Sequence, residues 1–332
     1  MKQYRLLILT DHTNHSKENS LYAIVDKMRE HPYCEQLDIA TRGIVENNSF
    51  FNEEQSDYLY VKTIKEPFVF DVNGASYLRD FKKEFVDKYD LIFLRMPPPL
   101  SRSFVQFLTK TFSKQFIINN PLGIYETGTK EFLTNFSEIC PPLKICKSIN
   151  DIIELKKHFP IVLKPFREYA GKGIVRIDGD KVWEGNEVTT FEHFIEKKKG
   201  DKFEYLGVKF LKNVSQGDKR IVVVDGKIMG ASLRLPVENS WLCNAAMGGS
   251  SNKTEITRAE RNIVKTINST LSEMGIVMYG VDTLVSDNGE RVLSEINATS
   301  IGGLPQIEKL TNKPVVAETA NLIWEYFIKN KR

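Results

Sequence analysis

The sequence predicts an α/β protein: an open parallel α/β domain first, then a strand-rich C-terminal half. Three observations carry this expectation. Short apolar runs alternate with longer amphipathic stretches through residues 1–122. Beyond residue 205 strand patterns follow one another, and Asp225-Gly226 and Asp287-Asn288-Gly289 stand between β-rich runs as hairpin turns. The composition is that of a globular chain, with 41% apolar and 27% charged residues in a length of 332. Glycine (20) and proline (13) together are too few for a collagen-like or low-complexity chain.

The elements follow in order. Residues 5–10 read as a first buried strand, and 20–29 as a helix with Leu21, Ile24, Val25 and Met28 on one face. Residues 45–70 are irregular and polar, which suits loops or short edge strands. A second buried strand at 89–95 stops at Pro97-Pro98-Pro99, a helix spans 103–112, and a third strand at 115–119 ends at Asn120-Pro121. Helical patterns at 129–136 and 149–158 frame a strand at 161–164. Strands at 205–211, 220–224, 228–235 and 278–285 then dominate, interrupted by a long helix at 258–274 and closed by one at 315–328. The texture divides the chain into three expected domains, 1–122, 123–204 and 205–332.

Charge and cysteine usage narrow the class. A net charge of +3 leaves no footprint for nucleic acid or a membrane surface. The apolar run near Met1 is too short for a signal-peptide core, and nothing approaches the ~18 apolar residues of a membrane span. The four cysteines, Cys34, Cys140, Cys146 and Cys243, show no metal-like spacing and read as reduced. The expected compartment is the cytoplasm.

Four stretches have the residue types that chemistry needs. Asp282 and Glu295 fall on adjacent strands of a hairpin, with Asn297 two residues beyond Glu295 on the same face. Two carboxylates and an amide oxygen suit a hard cation such as Mg²⁺, although three polar residues on a solvated sheet would look the same. Lys164 ends a buried strand and leads into a loop bearing Gly171 and Gly173. Glycine backbone and lysine charge make a phosphate cradle, but this is no Walker A loop, and an ordinary surface turn has the same composition. Arg220 and Arg234 sit at strand ends as anion clamps or simply as charges flanking a hairpin. Asn244 opens a small-residue loop, Asn244-Ala245-Ala246-Met247-Gly248-Gly249, of the kind that lets backbone approach a ligand.

The order of these stretches resembles the ATP-grasp superfamily and, more narrowly, the prokaryotic glutathione synthetase family. The matching segments include Leu94-Arg95-Met96-Pro97-Pro98-Pro99, Ile161-Val162-Leu163-Lys164-Pro165, Gly217-Asp218-Lys219-Arg220, the Asn244 loop, and Glu295-Ile296-Asn297-Ala298-Thr299-Ser300. The resemblance implies a two-lobed ATP-grasp module behind the N-terminal domain. It implies that Lys130 and Lys164 contact ATP phosphates, with Gly171, Gly173 and Lys209 also at the nucleotide. It further implies that Asp282, Glu295 and Asn297 hold Mg²⁺ (with Mn²⁺ as the alternative), and that Arg220 and Arg234 steady acceptor and phosphoryl charge. Arg95, Asn244, Thr299 and Ser300 would then meet the acceptor. The implied reaction is ATP-dependent joining of γ-glutamylcysteine and glycine through an acyl phosphate, with ADP and phosphate released. The partners are small molecules, and a homo-oligomer is compatible with the chain.

Departures concentrate where an acceptor would be read. Met96-Pro97 replaces the family's Lys-Asp, Leu242-Cys243 replaces Arg-Gly before Asn244, and Ile301-Gly302-Gly303 is a smaller loop than usual. A ligase of the same architecture acting on another carboxylate and amine therefore remains an alternative, followed by a non-catalytic nucleotide-binding module.

Overall fold

The run Leu6-Leu7-Ile8-Leu9 has no exposed surface, as an interior strand covered on both faces requires. In the computed structural model, which describes residues 2–169, 171–236 and 250–331, it forms the centre of the first of three sheets. That sheet contains β1 (Tyr4–Thr10), β2 (Cys34–Thr41), β3 (Tyr58–Thr63), β4 (Lys82–Phe85), β5 (Leu91–Leu94) and β6 (Phe116–Ile118). Its order is β4-β3-β2-β1-β5-β6. β2, β1, β5 and β6 are parallel, joined through helices such as Ser20–Arg29 and Arg102–Thr111. The expected all-parallel sheet is corrected at one edge, where β3 and β4 run antiparallel. The segment between β2 and β3 forms short helical turns, Val45–Asn47 and Asn48–Phe51, in place of a full crossover helix.

The middle sheet is antiparallel throughout: β7 (Leu143–Cys146), β8 (Ile161–Pro165), β9 (Val175–Asp178), β10 (Lys181–Glu184), β11 (Glu187–Thr190) and β12 (Tyr205–Lys209), ordered β11-β10-β9-β8-β12-β7. β12 lies between β7 and β8, so this strand pairs backward in the chain rather than with the strands that follow it. The region expected as a helix before β7 forms 3-10 turns over Lys130–Ile139, broken at Phe136.

The third sheet comprises β13 (Asp218–Val224), β14 (Lys227–Leu235), β15 (Ser250–Lys253), β16 (Met278–Val285) and β17 (Arg291–Asn297), in the order β15-β14-β13-β16-β17. Asp225 and Gly226 both take positive φ, 46° and 72°, which closes the β13–β14 hairpin in the sense that matches strand twist. The helix Arg258–Glu273 starts at a capping box of Thr257 and Glu260 and buries Ile263, Val264, Ile267 and Leu271.

Two features join the first sheet to the third. The closing helix Val315–Asn330 buries Trp324, whose indole N–H donates to the Met28 carbonyl at 3.2 Å. Asn119, just past β6, makes four hydrogen bonds: its amide N–H groups donate to the carbonyls of Met278 and Ala298, and its oxygen accepts from the N–H groups of Val277 and Met278. No helix among the described residues is long and apolar enough to cross a membrane.

Candidate active site

Strand register brings the charged residues of the third sheet together. Arg220 on β13 faces Asp282 on β16, and Asp282 faces Glu295 on β17. Residues opposite one another on paired strands share a face, so one row across the sheet runs cation, carboxylate, carboxylate. Asp218 and Arg234 form the next pair on that face, since Asp218 lies two residues before Arg220 and opposite Arg234. Gly280 makes the row passable: a Cβ there would stand 3.0 Å from Arg220 Cδ and 3.1 Å from an Ile301 methyl.

Each carboxylate has a cation. Arg220 grips Asp282 with two donors, Nη2 at 2.7 Å and Nε closer still. Arg234 reaches Asp282 at 3.0 Å and holds Asp218 through Nε at 2.9 Å and through Nη2. Lys130, from the first 3-10 turn, pairs with Glu295. Asn297 donates from Nδ2 to Asp282 at 3.2 Å. Burial would raise the Asp282 carboxyl, but the two arginines outweigh it and hold it well below the carboxylate range. Burial opposes ionisation of Glu295 in the same way, and Lys130 more than offsets it, so that group is also held low. Asp218 shows the opposite balance: burial and the nearby Asp282 charge push it up to about 6.

Lys164 differs from the other cations. It ends β8 in the middle sheet and reaches β17, where its ammonium donates to the carbonyl and hydroxyl of Ser294, both at 3.3 Å. No carboxylate among the described residues pairs with it, and burial lowers its pKa. Lys130, Lys164, Asp282 and Glu295 all face one cavity of about 460 Å³ between the middle and third sheets.

Most of the residues singled out in the sequence line that cavity: Lys130, Lys164, Gly171, Lys209, Arg220, Arg234, Asp282, Glu295, Asn297, Thr299 and Ser300. Lys209 spends its charge on Asp287 at 2.7 Å. Two residues stand elsewhere. Gly173, expected in the phosphate cradle, packs against the Pro165 ring, 3.0 Å from where a Cβ would be, at φ 67°. Arg95, expected at the acceptor, is 2% exposed, and its Nη2 donates to the Ile301 carbonyl at 2.7 Å, beneath the cavity wall rather than into it. Asn244 and the rest of its small-residue loop lie outside the described residues.

The sequence reading passed over Asp218, although it stands in the Gly217-Asp218-Lys219-Arg220 segment and its two-residue offset from Arg220 marks it as sharing a face. It also passed over Asp11, His15 and Asn19, which the first sheet contributes to the cavity rim. Only the packing of the first sheet against the third brings those residues there.

Known proteins resemble this chain in sequence and in fold. The sequence pattern of the "Prokaryotic glutathione synthetase, ATP-grasp domain" matches residues 129–312, more than half of the chain. A glutathione synthetase of Bradyrhizobium diazoefficiens is 30% identical over 255 residues, 76% of each chain. One of Mesorhizobium japonicum is 30% identical over 270 residues, 79% of this chain and 80% of the other. Among solved structures, the D-cycloserine synthetase DcsG superposes with a TM-score of 0.65 at 10% identity, covering 97% of this chain and 99% of that one. A D-alanine–D-alanine ligase from Bacillus anthracis complexed with ATP superposes at 0.58 and 12%, covering 99% and 98%. At those identities the structures establish the ATP-grasp fold alone. With the family's pattern matched across the module that forms the cavity, the chain belongs to the prokaryotic glutathione synthetase family and is an ATP-dependent ligase forming C–N bonds.

Proposed function

We propose that the protein joins γ-glutamylcysteine to glycine at the expense of ATP, releasing ADP and phosphate, in the cytoplasm. The acceptor carboxylate oxygen attacks the γ-phosphorus of ATP, and the bond to the β–γ bridging oxygen breaks with ADP leaving. The amine nitrogen then attacks the acyl carbon, phosphate departs with its electron pair, and the amine proton leaves with it. The observation that carries this reading is the cavity wall itself, where the ammonium of Lys164, with no carboxylate partner among the described residues, lies beside three cations held by carboxylates.

Phosphoryl transfer asks for positioning and charge neutralisation more than for covalent chemistry. Lys164 supplies a half-buried positive charge to the phosphates, and Lys130 approaches them from the 3-10 turn. Arg220 and Arg234 are planar forks kept in place by Asp282 and Asp218, so their direction is set before a ligand arrives. Asp282, Glu295 and Asn297 fit a divalent cation. They offer two carboxylates and an amide oxygen that takes no hydrogen bond among the described residues, a hard-oxygen set suited to Mg²⁺ or Mn²⁺. When bound, such an ion neutralises charge on the β- and γ-phosphate oxygens. Thr299 and Ser300 line the acceptor side, where the Thr299 hydroxyl donates to the Met96 carbonyl at 2.6 Å.

One observation favours the second reading, a ligase for another carboxylate and amine: the wall beside Thr299 and Ser300 is continued by Ile301, an apolar side chain. ADP release measured over a matrix of carboxylates and amines, with the product mass determined, separates the two. ADP formation dependent on γ-glutamylcysteine and glycine, at a kcat/KM of about 10⁴ M⁻¹s⁻¹ or above, supports glutathione synthesis. ADP release only with a different pair supports the second reading, and none with any pair overturns both.

A further inference from the structure

Beside the main cavity lies a second, smaller cleft of about 40 Å³. It shares Lys130, Glu295, Asn297 and Thr299 with the large cavity and so opens on the same central residues from another side. Its remaining wall is mostly uncharged, formed by the helix Pro121–Thr127 and the residues after it, with Tyr125 and Gly128 among them. One further charge stands there, Arg167. Its guanidinium lies over the Tyr125 ring at 4.4 Å, and no carboxylate among the described residues pairs with it. Tyr169, two residues on, is held by its hydroxyl donating to the Gly128 carbonyl at 2.7 Å, which anchors the loop that carries Arg167 to the same wall.

We propose that this cleft is the amine's own path to the acyl phosphate and that Arg167 holds the carboxylate of an amino-acid amine. The proposal rests on the ligase reading above. Size supports it: at roughly 10–15 Å³ for each water-sized group, the cleft admits a molecule of a few heavy atoms and excludes a nucleotide. Charge supports it as well. A guanidinium held over an aromatic ring by its charge spends no N–H donor on that contact, and two of its donors match a carboxylate. The route has a chemical use, because nucleotide and acceptor fill the large cavity during phosphoryl transfer. A separate approach lets a small amine reach the acyl carbon without opening the site to bulk water.

The test separates amine recognition from acyl-phosphate formation. The wild-type protein, Arg167→Ala and Arg167→Lys are assayed with ATP, Mg²⁺ and γ-glutamylcysteine, or the carboxylate the matrix identifies. Each is given glycine, glycinamide or hydroxylamine. Glycinamide lacks the carboxylate, and hydroxylamine traps the acyl phosphate as a hydroxamate without one. The expected result is a KM for glycine raised at least tenfold in Arg167→Ala and partly recovered in Arg167→Lys. The KM for glycinamide and the rate of hydroxamate formation should be alike in all three proteins. An unchanged KM for glycine in Arg167→Ala overturns the proposal. So does an equal loss of amide and hydroxamate, which would place Arg167 at phosphoryl transfer. Absence of hydroxamate from the wild-type protein with every carboxylate overturns the ligase reading itself, and the amine path with it.

Discussion

Asp282 neutralises two arginines at once, while Glu295 balances a single lysine and keeps 30% of its side chain exposed. That difference separates two substitutions that look equivalent in the sequence. Asp282→Ala leaves the half-buried Arg220 without its carboxylate and Arg234 with Asp218 alone, so turnover is expected to vanish together with about 3–5 kcal/mol of stability. Glu295→Gln is expected to abolish turnover while costing less than about 1 kcal/mol. ADP release and the urea midpoint of each variant check the pair, and a stable Asp282→Ala protein would contradict the buried-pair argument. His15 offers a second test. Burial first, then the charges of His12 and Arg95, lower its pKa to about 4, against about 6.5 when the chain is unfolded. Between those values the unfolded chain binds the proton and the folded one does not, so stability is full above pH 6.5 and falls as pH drops toward 4. His15→Gln is expected to flatten that part of the stability–pH curve relative to wild type, as measured by urea unfolding across the range.

Among the elements, the two hairpins and the long capped helix were legible in the sequence because their signals are local. Positive φ at Asp225-Gly226 and the capping box at Thr257 need no partner from elsewhere. β12 was not legible in this way. Its composition resembles that of the strands after it, yet its partners are β7 and β8, and a choice of partner depends on non-local pairing. The junction at Asn119 is of the same kind. A single amide there satisfies backbone groups of Val277, Met278 and Ala298, and Ala298 directly precedes the Thr299–Ile301 wall. Asn119→Ala is expected to cost at least about 3 kcal/mol, because several buried backbone groups lose their partner together. Denaturant unfolding reads that loss. The KM for the acceptor should rise more than the KM for ATP, since the wall it supports lies on the acceptor side.

At the scale of the whole molecule, the cavity exists because the middle sheet places Lys164 against β17 of the third sheet while the first sheet closes the rim. A ligand that binds there bridges sheets and stabilises the native state by mass action, by about 2.7 kcal/mol at a concentration 100 times its Kd. Mg-ATP is therefore expected to raise the melting temperature of the wild-type protein. Lys164→Met, which keeps most of the length of the side chain and removes its charge, should lower that shift at the same ATP concentration. Equal shifts in the two proteins would remove Lys164 from the nucleotide site.

The sequence by itself determined the alternation of strands and helices, the hairpins, and the face shared by Asp282, Glu295 and Asn297, because periodicity and turn chemistry act over a few residues. The order of its motifs also sufficed to identify the family. The tertiary structure decided which charges meet. It paired Asp282 with both arginines, left Lys164 without a carboxylate partner among the described residues, and turned Arg95 beneath the Ile301 carbonyl instead of toward a ligand. It also set Arg167 over Tyr125 at a second opening. A side chain's electrostatic partner is selected by packing between segments far apart in the chain, and no local pattern encodes that choice.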